Sequence, residues 1–186
     1  MTKSVIISGP PAIGKTTVAQ GLAKEFGLTF LGGGDILKEL AKEQGFKTDG
    51  ADWWDTPDGM KFLDQRSQNS EFDKKVDDKL REIFLVGGVV ITSYTLPWLV
   101  DDGIKIWLGG TLENSAKRMK VRDNMDEAKA LEIVKSRYDG NKKLYKKLYN
   151  FDFGENLSVF DKIIDTDELD ATKVLEIAKN TVKELL

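Results

Sequence analysis

A chain of 186 residues is long enough for one well-packed domain and short for two. Its 28 Lys and Arg against 31 Asp and Glu leave it slightly acidic, which argues against coating DNA or RNA through counterion release; no nucleic-acid partner is expected. With no His and no Cys, disulfides, thiol nucleophiles, imidazole acid–base chemistry and Cys/His zinc sites are excluded together, so any metal must be hard and oxygen-ligated.

The amino terminus, MTKSVIISGPP, holds only a brief apolar run before Gly9, so neither a signal peptide nor a spanning helix fits. A cytoplasmic protein with no membrane partner, monomer or homodimer, is the expectation. SVIIS (4–8) is a β-branched run ending at a glycine loop, and KTTVAQGLAKEF then spaces Val18, Leu22 and Phe26 four apart, as the buried face of a helix requires. Gly27 is a helix stop, LTFL (28–31) a second strand, and Gly32 to Gly34 lead into the helix DILKELAKEQ with Asp35 at its start.

The stretch 46–69 breaks this alternation with turn signals, the pair Trp53 and Trp54 and several acids; it reads as an insertion over the carboxyl edge of the sheet. Ser70 is placed to cap EFDKKVDDKLREIF, whose Phe72, Val76, Leu80 and Ile83 form one apolar stripe. GVVITS and IKIWL read as buried strands. The helical run from Thr111 to about Tyr149 should break near Asn124 or Gly140. DKIIDT (161–166) makes a fifth strand before a last helix from about Asp170. The expected fold is α/β: a five-stranded parallel sheet with helices on both faces, in a single domain over 1–186.

Gly9 to Thr16 fits G-x-x-x-x-G-K-[ST] between a strand and a helix. Such a loop turns backbone N–H groups around a phosphate at the positive end of a helix dipole. Gly9, Ile13, Gly14, Lys15, Thr16 and Thr17 are therefore the nucleotide-binding candidates. Lys15 would reach the β- and γ-phosphates of ATP, and the Thr16 hydroxyl would ligate Mg²⁺.

The loop alone leaves kinase, switch and motor open. The nearest match to the guanine-reading N-K-x-D is NKKL at Asn141, and DTPDG at Asp55 is one residue too long for D-x-x-G, so a switch is disfavoured. Between Lys117 and Lys147 stand eleven Lys and Arg against five Asp and Glu. A loose phosphoryl-transfer transition state spreads charge over its equatorial oxygens, and Arg118, Arg122 and Arg137 are candidates to meet it. KKLYKK (142–147) reads more simply as a solvated basic face.

On these features the chain resembles the nucleoside monophosphate kinase group of P-loop kinases, and most closely archaeal-type cytidylate kinases. The resemblance runs over the phosphate loop, GGDILKELAKEQG, NSEFDKKVDDK, IKIWL, AKRMKVRD and LYNFDFGENLSVFDKIIDT. It implies ATP as donor, Mg²⁺ as cofactor, an acceptor-binding insertion at about 35–86 and an arginine-bearing lid at about 111–150. Lys15, Thr16, Arg118, Arg122 and Arg137 fall on loop and lid positions, and Asp35 falls on a Gly-Asp motif near the metal and the acceptor.

The acceptor side departs from that pattern. Where the family carries Glu-Gly-Arg-Leu after the third strand, this chain has Thr92, Ser93, Tyr94 and Thr95; an arginine is replaced by Lys38, another by Leu144, and a glutamine near the base by Leu80. Lysine lacks the planar two-pronged grip of arginine, and leucine offers no hydrogen bond. Lys38, Thr92, Ser93 and Tyr94, with Asp35, are thus the expected acceptor-binding residues. Their hydroxyls suit a small phosphorylated acceptor other than CMP, as in the family's mevalonate-3-phosphate 5-kinases of isoprenoid synthesis. Cytidylate kinase activity is the alternative, and an ATP-sensing interaction protein the reading from another class. Trp53 and Trp54 would either close over the acceptor as a dry lid or simply pack the insertion.

Overall fold

The structure is a computed structural model that describes residues 3–43, 45–48, 53, 56–68 and 71–186. Strand β1 (Val5–Ser8) is buried along its whole length, as its β-branched run demands. It lies between β3 (Val89–Thr92) and β4 (Ile104–Gly109), with β2 (Thr29–Gly32) and β5 (Lys162–Asp165) at the edges. The sheet order is β2-β3-β1-β4-β5, and every pair is parallel. Crossovers leave β1 in opposite directions, so a crevice opens at its carboxyl end, where Ser8 pairs with Trp107 and Ile7 with Thr92.

Helices cover both faces. Helix α1 (Lys15–Phe26) and α8 (Ala171–Leu185) bury Val18, Leu22, Val174 and Val182 against Val5, Ile7 and Ile106. On the other face, α2 (Gly33–Glu43), α3 (Pro57–Gln68), α4 (Glu71–Val86) and the short α5 (Leu96–Leu99) enclose Ile6, Ile36, Phe62, Leu80, Phe84 and Ile91. Each such aliphatic or aromatic side chain contributes about 1.5–3 kcal/mol by leaving water.

Beyond the sheet, α6 (Leu112–Asp123) and α7 (Glu127–Tyr149) form a hairpin. The first half of α7 packs Ala130 and Val134 on Ala116 and Met119 of α6. Its second half packs Leu144 and Tyr145 into an aromatic cluster with Trp107 and Phe153.

Three expectations gain detail. The stretch 46–69, read as an insertion with turn signals, holds a helix: α3 begins at Pro57, a residue whose fixed φ and missing N–H suit the first helical position. The hairpin breaks at Asn124, whose φ of 48° ends α6, while α7 runs unbroken through Gly140. Helix α2 starts at Gly33, which puts Asp35 in its first turn, where a carboxylate favours the helix dipole, and not at the cap. Ser70 and Trp54 lie outside the described residues. Among those residues no helix is long and apolar enough to cross a membrane.

Candidate active site

A cleft of about 1220 Å³ runs along the carboxyl edge of the sheet, from the loop after β5, past the loop between β1 and α1, to α2, α3 and α4. At its centre is the amino terminus of α1. Helices α6, α7 and α8 are capped by the side chains of Thr111, Asp126 and Asp170, but α1 has Gly14 at its cap, no side-chain bond to its first N–H groups and no acid in its first turn. Those N–H groups and the dipole stay available to an anion.

The loop's shape is enforced. Gly9 has φ of 146°, and a Cβ there would stand 2.3 Å from the Leu108 carbonyl oxygen, so only glycine lets the loop lie on β4. Ala12, at φ 58°, occupies the left-handed region at some cost in strain and packs towards α6. Ile13, Gly14, Lys15, Thr16 and Thr17 line the cleft. Gly9 does not: it is buried beneath the loop and serves through its carbonyl, which accepts from Lys15 Nζ at 2.9 Å. Pro10 O accepts from the same ammonium at 2.6 Å. Burial pushes the Lys15 pKa down, the Tyr94 phenol opposes that shift, and the Arg137 guanidinium adds to it.

All three arginines line the cleft, in different states. Arg118 donates from Nη2 to the Thr166 carbonyl at 2.7 Å and to its hydroxyl at 3.2 Å, while its buried Nη1 makes no hydrogen bond. Arg122 forms a fork with its neighbour Asp123, Nε to Oδ1 at 2.6 Å and Nη2 to Oδ2 at 2.7 Å. Arg137 comes from the middle of α7 and stands near enough to Lys15 to depress its pKa. The donor end of the cleft also includes Thr166, Leu169 and Val174, which sequence reasoning missed; a threonine at the carboxyl end of the fifth strand was the available signal.

At the other end, Asp35 and Lys38 of α2 and Thr92, Ser93 and Tyr94 line the cleft together. The hydroxyls after β3, expected to serve the acceptor, are instead largely turned into the protein. Ser93 Oγ accepts from the N–H groups of Thr95 and Leu96 at 3.2 and 3.1 Å, and Thr95 Oγ1 donates to Asp77 Oδ1 at 2.5 Å. Ser93 and Thr95 are almost fully buried. Tyr94 alone turns its ring to the cleft centre, 4.6 Å from Lys15 Nζ.

Two carboxylates unremarked in the sequence form the floor here. Asp73 and Asp77, one turn apart on α4, are 4% and 6% exposed and line the cleft beside Val76 and Leu80. Acids interleaved with the apolar stripe of that helix were the signal for them. Phe30, Leu37, Met60 and Leu63 supply apolar walls. Lys143 and Lys147, from the run read as a solvated face, line the cleft too. Trp53 takes the packing alternative: it is 2% exposed, 5.5 Å from the Phe62 ring, and part of the core under α2.

Thr16 and Asp35 present hard oxygens to the cleft, which suits Mg²⁺. No group of three or more acids able to hold a metal occurs among the described residues.

A parallel α/β sheet, a phosphate loop with a bare helix terminus, and a cleft with arginines on one side define an ATP-dependent phosphotransferase of the P-loop kinase class. The model of the Cytidylate kinase-like family matches residues 4–168, and the chain belongs to that family. It is 33% identical over 186 residues to a cytidylate kinase of Methanocaldococcus jannaschii, covering 97% of this chain and 98% of that one. A cytidylate kinase of Sulfurisphaera tokodaii is 32% identical, covering 93% and 91%. Among solved structures, a shikimate kinase from Acinetobacter baumannii in complex with shikimate aligns with TM-score 0.58 and 17% identity over 100% of this chain and 95% of that one, a likeness of fold. An uncharacterized protein from Eubacterium ventriosum aligns at TM-score 0.66 and 17% identity, covering 99% of each chain.

Proposed function

We propose that the chain transfers the γ-phosphoryl group of ATP to the phosphate of a pyrimidine nucleoside monophosphate, with CMP or dCMP as the preferred acceptor. The observation that carries this reading is the floor of the acceptor end: Asp73 and Asp77 lie buried one turn apart between apolar walls, and Asp77, whose two oxygens each take one hydroxyl, from Thr95 and Tyr149, keeps a further lone pair on each. An ionised carboxylate only accepts hydrogen bonds, and the exocyclic amino group of cytosine donates them. Uracil offers a carbonyl at that position, which a carboxylate repels. The relatives named cytidylate kinase support the same choice.

In this reading the 9–17 loop cradles the donor phosphates, and Thr16 with Asp35 would hold Mg²⁺, whose charge offsets that building on the β- and γ-oxygens. Lys15 bridges donor and acceptor oxygens. Arg118, Arg122 and Arg137 meet the charge of the transferred group, Arg122 after exchanging Asp123 for phosphate. The segment 35–86 forms the acceptor end and 111–150 the lid. Asp35 orients the attacking oxygen or the metal shell. No strong base is needed, because positioning and charge supply most of the rate.

A second reading, transfer to a phosphorylated metabolite without a base such as mevalonate 3-phosphate, is favoured by one observation: Lys38, Thr92 and Tyr94 bring no guanidinium to the acceptor end. It rested on hydroxyls reaching the acceptor, and those of Ser93 and Thr95 are engaged within the protein; the relatives give it no support. The test is an ADP-release screen with CMP, dCMP, UMP, AMP and phosphorylated mevalonates. CMP turned over well ahead of UMP is the expected result. Turnover with a mevalonate phosphate and none with CMP would install the second reading, and no stimulation by any acceptor would favour an ATP-sensing role.

A further inference from the structure

An ammonium has three N–H donors, and Lys15 gives two of them to the carbonyls of Gly9 and Pro10, on the loop that carries it. The Tyr94 ring also stands 4.6 Å from Nζ, within range of a cation–π attraction. Of these partners, the two carbonyls belong to the loop itself and must be exchanged for phosphate oxygens when a nucleotide arrives. Tyr94 comes from a different strand end and need not be exchanged.

Tyr94 is itself firmly placed. Phe153 meets its ring edge-on at 5.6 Å and Tyr145 lies tilted at 6.3 Å, and both are almost completely buried. The residues on either side are pinned by hydroxyls: Ser93 to the start of α5, Thr95 to Asp77. The ring is thus held by the sheet edge, by the loop after α7 and by α7, and it presents its face to the loop lysine.

We infer that Tyr94 is a positioning residue that acts through Lys15, holding the ammonium at the junction of the donor and acceptor ends of the cleft, and that the acceptor need not touch Tyr94. The inference rests on the reading of Lys15 as the group that bridges the transferred phosphoryl. Its consequence is that Tyr94 matters whatever molecule receives the phosphoryl group, water included.

That consequence supplies a test independent of the acceptor's identity. Slow hydrolysis of MgATP in the absence of any organic acceptor is compared for the wild type and Tyr94→Leu, which removes the ring that faces Nζ. Loss of the ring beside the ammonium predicts a fall of about tenfold in hydrolysis, with MgATP affinity by calorimetry within about twofold. Transfer to CMP should fall by the same factor with little change in its KM. Unchanged hydrolysis with a raised acceptor KM would mean direct contact with the acceptor and would overturn the inference. If no acceptor in the screen is phosphorylated, the acceptor assignment fails while the hydrolysis comparison still reads Tyr94.

A second readout needs no turnover. The ε-methylene signal of Lys15, assigned by its loss in Lys15→Met, should be displaced by the ring current in the wild type and in Tyr94→Phe. It should return to the ordinary lysine position in Tyr94→Leu, with and without ADP bound. An ordinary position in the wild type overturns the inference.

Discussion

Tyr149, the last residue of α7, donates its hydroxyl to Asp77 Oδ2 at 2.6 Å, while Asp77 Oδ1 receives the hydroxyl of Thr95. One buried carboxylate therefore joins α4, the loop after β3 and the end of the α6–α7 hairpin. Burial raises the Tyr149 pKa above the ordinary phenol range, and the neighbouring Asp77 charge raises it further. A raised folded-state pKa means that the stabilisation is complete below the unfolded phenol value of about 10 and is lost as pH climbs beyond it. Tyr149→Phe should cost about 1.5–3 kcal/mol at neutral pH, as expected for a hydrogen bond to a charged group. It should also flatten the fall of Tm between about pH 9.5 and 11, which thermal melts across that range would read.

Lys15→Met should reduce turnover by at least about 10²–10³-fold in an ADP-release assay, the scale set by removal of a single transition-state contact. Activity retained within tenfold would remove Lys15 from the chemistry. Asp35→Asn, which alters one of the two residues proposed to hold Mg²⁺, should lower kcat more than it weakens ATP binding. Equal kcat would take Asp35 out of the mechanism.

Gly9→Ala meets backbone rather than a side-chain tip: its Cβ would fall 2.3 Å from the Leu108 carbonyl oxygen, at a φ of 146° that alanine avoids. The loop must lift off β4, carrying the Gly9 and Pro10 carbonyls away from Lys15. MgATP affinity by calorimetry should drop by more than about tenfold, or 1.4 kcal/mol, without loss of the far-ultraviolet helical signal.

Trp53→Ala opens a space in the core shared by Phe46, Phe62 and Leu37. It should destabilise the fold by about 3–5 kcal/mol in denaturant titrations. The folded fraction should keep the acceptor KM of the wild type, because Trp53 does not line the cleft; a selective rise in KM would return the residue to the site.

Local signals made the nucleotide end legible. A β-branched run, a glycine spacing and a four-residue apolar period fix β1, the loop and α1 within about twenty residues of chain. Helix α3 was obscured because Pro57, Asp58 and Gly59 carry turn chemistry, although proline and an acid also suit a helix's first turn. The choice between Asn124 and Gly140 as the break was beyond local reading. Asparagine tolerates the left-handed region, and a glycine inside a helix costs only about 1 kcal/mol when both halves are packed. The acceptor end was least legible. Whether Ser93 and Thr95 face a ligand or the protein depends on Asp77, eighteen residues earlier and brought there by the sheet.

Helix α7 spans 23 residues, with its first half in the α6 core, its second half in the aromatic core, and Gly140 in the stretch between, where an added Cβ would meet no neighbour. The glycine is therefore not demanded by crowding. A rod clamped in two separate vices transmits motion only by flexing, and its most compliant point is where a side chain is missing. Any displacement of α6 relative to the sheet must therefore bend this one helix or unseat one of its two clamps.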